Sequence, residues 1–170
     1  MKKTLLVPMP ILMLAACSEA TSGPQRMADG RWEISASFDS VDAPGMTPGE
    51  RAEVKRMMNE AMGQQGAAEC MRHSGDQLQE WRNNLGPGAG VMTNCEHDAD
   101  DRMSGGVFKL TASCRIAGGP GRAGMRLDGN YTADTVDGVV EISMDGRRPS
   151  GRRLQARLTG KMTGRRVGDC

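Results

Sequence analysis

Two short stretches bring cysteine and histidine together: "CMRH" holds Cys70 and His73, and "CEH" holds Cys95 and His97. Thiolate and imidazole are the ligands of a structural zinc site, and on a strand Cys95 and His97 point the same way. The opposing reading is a pair of disulfides. The chain carries five cysteines (Cys17, Cys70, Cys95, Cys114 and Cys170) against two histidines, and an exported chain sits in an oxidising compartment. Methionine is frequent, 14 residues, and thioether is a soft ligand for copper(I); Met58 and Met62 lie one helical turn apart. Most methionines fall on inward positions, however, where a flexible side chain fills a core short of aromatics. The serines of "RPSGR" and "MSGG" lack a nucleophile elbow, and neither histidine has an evident acid or serine partner. "EHDADD" reads as solvated surface, and "GGPGRAG" as a loop rather than a phosphate cradle. No catalytic residue, metal set or cofactor is expected from these residues.

Cys17 carries a different chemistry. It follows Lys2 and Lys3, an apolar run from Thr4 to Ala16 too short to span a bilayer, and the small residues of "LAAC". The arrangement resembles the bacterial lipobox, in which the signal is cut before the cysteine and the cysteine takes lipid. Residues 1–16 then form a lipoprotein signal peptide. Residues 17–30 hold the lipidated cysteine and a polar, Gly/Pro-containing tether, and residues 31–170 make a single β-rich domain. Serine at position 18, where aspartate would resemble an inner-membrane retention signal, points to the periplasmic face of the outer membrane. Several acyl chains anchor a protein stably, at about 0.8 kcal/mol per buried CH₂.

Charge is unevenly spread. From Arg26 to Cys114 acids outnumber bases 14 to 9, and from Arg115 onward bases outnumber acids 11 to 6. Alternation places Arg126, Arg153, Arg157 and Lys161 on one outer face, with Arg147, Arg148 and Arg152 in the adjoining loop. Such a face suits an anionic partner: lipid head groups or an acidic envelope protein. Nucleic acid does not fit the compartment.

The elements that position these residues are mostly strands. "CEHDADDRMSGGVFKLTASC" reads as a hairpin about Ser104 and Gly105, which sets Cys95 opposite Cys114 and Asp100 opposite Lys109. His97, Ala99, Phe108, Leu110 and Ala112 then share the cysteine face. Cysteines directly opposite in a closely spaced antiparallel pair can be bridged. Cys70 is left for Cys170, which staples the end of the chain across a loop of about 100 residues, worth about 4–5 kcal/mol in the chain-entropy model. A second hairpin turns at Ala133 and Asp134, with Leu127 facing Val140, Met125 facing Ile142, Ala123 facing Met144 and Arg126 facing Glu141. The last strand is expected to set Met144 against Leu154, Asp145 against Arg153 and Glu141 against Arg157. Near the front, Trp32, Ile34, Ala36 and Phe38 alternate inward.

Helices are few. Thr47 reads as an N-cap, with Pro48 at the first helical position and Glu50 completing a capping box. The apolar stripe is Val54, Met57, Met58, Ala61 and Met62, and Gly63 ends it. A shorter helix is expected from Ser74, with Leu78 and Trp81 apolar, and "AAECMRH" before it reads as a short strand. The fold expected is mainly β: a curved antiparallel meander sheet or half-barrel with one or two short helices.

"GRWEIS" opening the first strand, "ECMRH", the cysteine-flanked hairpin and the ending "TGRRVGDC" together resemble an uncharacterised, domain-of-unknown-function family of small secreted bacterial proteins and lipoproteins. Gly30, Trp32 and Glu33 match its Gly-x-Trp-Glu opening, and Cys70, Cys95, Cys114 and Cys170 match its four cysteines. Arg72 and His73 depart from it, where members often lead into Thr-Pro-Glu. The resemblance implies fold and compartment and no mechanism. The leading expectation is a lipid-anchored, non-catalytic binding or envelope-maintenance module. Methionine-rich copper handling comes second, and a hydrolase of unknown substrate third.

Overall fold

Period-two alternation through the second half of the chain becomes long antiparallel strands. The computed structural model describes residues 26–63, 68–73, 75–84, 92–116, 120–147, 151 and 153–170. In chain order the elements are β1 (Gly30–Asp42), α1 (Pro48–Gly63), β2 (Glu69–Met71), α2 (Gln77–Asn84), β3 (Met92–His97), β4 (Arg102–Ser104), β5 (Val107–Ile116), β6 (Arg122–Tyr131), β7 (Thr135–Arg147) and β8 (Arg153–Gly168). The sheet runs β2-β1-β8-β7-β6-β5-β3, with β4 paired to β5. It curls into a half-barrel with two helices, the mainly β fold expected.

The concave side holds the core. Phe108, Leu110, Leu127, Val136, Val140, Ala156, Leu158 and Met162 are buried there with Trp32 and Phe38 of β1. The helix α1 lies against β1 and contributes Val54 and Met58. Its capping box is complete: Glu50 N–H donates to Thr47 Oγ1 at 3.2 Å, and Thr47 N–H donates to Glu50 Oε2 at 2.7 Å. Met57 leaves the expected stripe and is 49% exposed, because it sits at the stripe's rim on a helix that touches the sheet by one narrow side. The side chains of Ala61 and Met62 lie outside the described residues.

The second helix starts later than expected. Asp76 caps α2, its Oδ1 accepting from Leu78 N–H at 3.0 Å and Gln79 N–H at 3.3 Å. Trp81 of α2 reaches the core and stacks obliquely on Phe108, ring centroids 5.6 Å apart. The ring of Phe108 also covers a bare spot in the sheet. Gly129 lies opposite Phe108, and Gly138 opposite Gly129. A Cβ at either glycine would come within 2.6–2.7 Å of Phe108 Cζ, so the ring fills the space of two absent side chains.

The β6–β7 register is the one expected, Leu127 against Val140 and Arg126 against Glu141. The β7–β8 register differs by two residues: Met144 faces Ala156, Asp145 faces Gln155 and Glu141 faces Thr159. Packing explains the shift. The observed register sets Gly160 against Val140, Gly138 against Met162 and Gly164 against Val136. The expected one would have set Gly160 against Gly138 and left a hole in the core.

The first hairpin divides into two. Gly105 and Gly106, at φ 61° and 79°, form its turn, so Lys109 faces Arg102 rather than Asp100. The extra residues are taken up by a second turn, where Asp101 N–H donates to Asp98 O and Asp100 N–H to Asp98 Oδ1. Beyond that turn the expected register returns, with Glu96 against Ser113 and His97 against Ala112. His97 thus keeps the face of Ala112, at its rim and with its side chain 26% exposed, whereas Ala99 lies exposed in the turn. Asp101 takes the inward place.

The folded domain begins before residue 31. Met27 is 3% exposed, Gln77 Nε2 donates to Met27 O at 3.1 Å and Trp32 Nε1 donates to Ala28 O at 3.0 Å. Ala28 N–H donates to Ala133 O at 2.8 Å, which fixes this segment at the β6–β7 turn. Residues 27–30 therefore belong to the domain and not to a tether.

Candidate functional site

The four domain cysteines form two disulfides. Cys95 is joined to Cys114 with Cα atoms 4.0 Å apart, beside a bulge at which Asn94 takes φ 50°. Cys70 of β2 is joined to Cys170 with Cα atoms 5.6 Å apart. This staple ties the chain end to β2, and β1 lies between β2 and β8. Neither cysteine–histidine pair is then a thiolate–imidazole pair. The His73 ring is nearly enclosed, with Nδ1 2.9 Å from Glu80 Oε2.

A second enclosed group is the Asp101 carboxylate, whose side chain has no exposure. It accepts from Thr111 N–H at 2.7 Å and from Arg82 Nε at 3.2 Å, with His97 Nδ1 3.7 Å away. Arg82 also donates to Asp98 O at 3.0 Å. The cluster locks α2 onto the turn between β3 and β4, as a buried charge requires partners. A cavity of about 10 Å³ beside Arg82, His97, Leu110 and Met125 is no larger than one water needs.

The methionines mostly pack. Met27 and Met162 are buried, and Met46, Met58, Met71, Met103, Met125 and Met144 lie against the core. Among the described residues no three of histidine, cysteine, aspartate and glutamate gather as a metal set.

The convex face carries the arginines; Arg153 and Arg157 keep their expected acidic partners, now diagonally across the strands, while Arg126 takes another. Arg126 lies across from Glu141 but bonds Asp128 on its own strand, Nε to Oδ2 at 2.5 Å. Arg157 reaches Glu141 diagonally at 3.5 Å. Arg153 engages Asp145 through Nη2 at 2.6 Å and Nε at 3.2 Å. Glu33 of β1 receives Arg165 at 2.9 Å. The strip is thus more nearly neutralised than one carboxylate shared by two guanidiniums would be, and each pair is exposed and weak. Lys161 is exposed and forms no ion pair among the described residues; it lies directly across from Val139, itself 51% exposed.

At one end of the sheet the arginines concentrate. Arg122, Asp145, Arg147 and Arg153 line an open cleft of about 360 Å³ with Pro120 and Gly146. Arg147 stands directly across from Arg153, and Arg115 across from Arg122. Arg147 was expected in a loop and ends β7 instead; Arg148 and Arg152 lie outside the described residues. The cleft was not legible beforehand, because the two-residue change of register is what brings Arg147 onto Arg153. Its one sequence signal was the density of arginine on either side of residue 150.

No curated protein and no solved structure matches the chain. One family model does, over residues 27–170. The chain belongs to the family described as Protein of unknown function (DUF3617).

Proposed function

We propose that the mature chain begins at a lipidated Cys17 on the periplasmic face of the outer membrane and works there as a non-catalytic binding module for an anionic partner. The observation that carries the reading is the filled concave side. Side chains from the sheet, α1 and α2 occupy it, and the small cavity beside Arg82 and His97 holds about 10 Å³. Recognition is then a matter for the outer surface. Cations exceed acids in the strands that make most of it, and Lys161 stands beside the exposed Val139 as a cation next to an apolar contact. Arg126, Arg153, Arg157 and Lys161 extend across that face, where anionic head groups attract each basic residue by about 1 kcal/mol near a charged surface. An acidic envelope protein would use the same charges.

The test is binding of the unlipidated mature protein to vesicles containing anionic lipid. Weak binding that declines with salt is expected, with a further decline when Arg153, Arg157 and Lys161 are changed together to glutamine and little change in thermal stability. A protein that ignores anionic vesicles even at low ionic strength contradicts the membrane reading.

A further inference from the structure

The outer face does not spread its charge evenly. Two like-charge pairs stand directly across strands at the same end of the sheet, Arg115 with Arg122 and Arg147 with Arg153. Such pairs are unfavourable in a ladder. Carboxylates relieve them only in part. Asp145 is held by Arg153, while Arg122 meets Glu96 at the long distance of 3.5 Å, with Glu96 81% exposed. Arg147 donates to Gly151 O at 3.3 Å and has no carboxylate partner among the described residues. Three of these four arginines, Arg122, Arg147 and Arg153, line the cleft of about 360 Å³, within the size range of small-ligand sites.

We infer that this cleft is a binding site for a phosphate oxyanion, held by Arg122 and Arg147 with Arg153 fixed beside them by Asp145. Planar guanidiniums lining one cleft from three neighbouring strands offer the forked donors that phosphate oxygens accept. The inference deepens the proposed function and rests on it for the class of partner. It adds a geometry of its own. The chain enters the fold at Ala28, bonded to the β6–β7 turn, and β6 runs from there to Arg122, a span of about 30 Å. A lipid joined at one end and a phosphate held at the other would lay the convex face along the membrane.

The test is calorimetric titration of the full mature chain, lipid intact and in non-ionic detergent, with inorganic phosphate and with a short-chain phosphatidic acid. Chloride at matched ionic strength is the control. Saturable binding is expected, lost by at least about tenfold in R122Q/R147Q, since charge-assisted hydrogen bonds contribute on that scale. R157Q/K161Q, which removes two charges of the same face outside the cleft, should retain it. Phosphatidic acid competing with phosphate supports a lipid head group as the source; binding of inorganic phosphate alone supports a free phosphate. Non-saturating titrations with both probes, or undiminished binding in R122Q/R147Q, overturn the site. Phosphate binding without vesicle binding would keep the cleft and remove the membrane reading. Vesicle binding that survives in R122Q/R147Q but is lost in R157Q/K161Q would do the reverse.

Discussion

Asn59 of α1 hydrogen-bonds both main-chain groups of Phe38 on β1: Phe38 N–H donates to Asn59 Oδ1 at 2.6 Å, and Asn59 Nδ2 donates to Phe38 O at 3.2 Å. One side-chain amide thus stands in for a neighbouring strand at the point where β1 bulges against β8, between Phe38 and Ser40. Lys55 Nζ reinforces it by donating to Asp39 O at 2.9 Å. An edge strand left bare is a template for aggregation, and here the helix covers it. Asn59→Leu should therefore lower stability by about 1–3 kcal/mol, since two part-buried backbone groups lose their partners. Urea unfolding checks this, and an unchanged midpoint would mean that water serves Phe38 equally well.

Glycines divide into those with room and those without. Gly160 lies against β1, where a Cβ would press on Ser37 O and come 2.7 Å from Phe38 Cα. Both are backbone and cannot move aside. Gly160→Ala should cost about 3 kcal/mol or more. Gly49 in the first turn of α1 has nothing within 4 Å, so Gly49→Ala should stabilise by about 0.5–1 kcal/mol. Thermal melts of the two variants should move in opposite directions, and movement in the same direction contradicts the packing described.

The two disulfides close loops of different size, with sequence separations of 100 for Cys70–Cys170 and 19 for Cys95–Cys114. In the chain-entropy model these contribute about 4.7 and about 3 kcal/mol. Replacing Cys70 and Cys170 with alanine should destabilise more than replacing Cys95 and Cys114. Urea midpoints in the reverse order would show that local packing, not loop closure, governs the pair.

Asp145 and Arg153 form the tightest ion pair of the cleft. The hydrogen bonds from Arg153 hold the Asp145 carboxyl below its ordinary 3.8, against a smaller opposing effect of desolvation. A carboxyl depressed on folding contributes above its unfolded value, and the contribution is lost as pH falls through the folded one. Arg153→Gln should raise the Asp145 titration toward 3.8, as read by carboxyl-carbon NMR. A titration that stays in place would assign the depression to another neighbour.

Much of the fold was legible in alternation. The β6–β7 register followed from matched apolar and charged pairs on both faces, which a slip would have broken. The capping box of α1 was legible because it is local. Features set by tertiary packing were not. The β7–β8 register depends on which residue fills each glycine gap, and the side-chain pattern is nearly unchanged by a slip of two. The double turn about Asp98 and Gly105 depends on Asp101 finding Arg82 on a distant helix. The arginine face was visible as composition, but the cleft exists only in the observed register.

The protein is expected in the outer-membrane fraction of the cell envelope, with an intact mass that begins at Cys17 and includes the acyl chains. Cys17→Ser should release it or leave it unprocessed. A wild-type protein found soluble, with a mass that includes residues before Cys17 or lacks lipid, would contradict the reading.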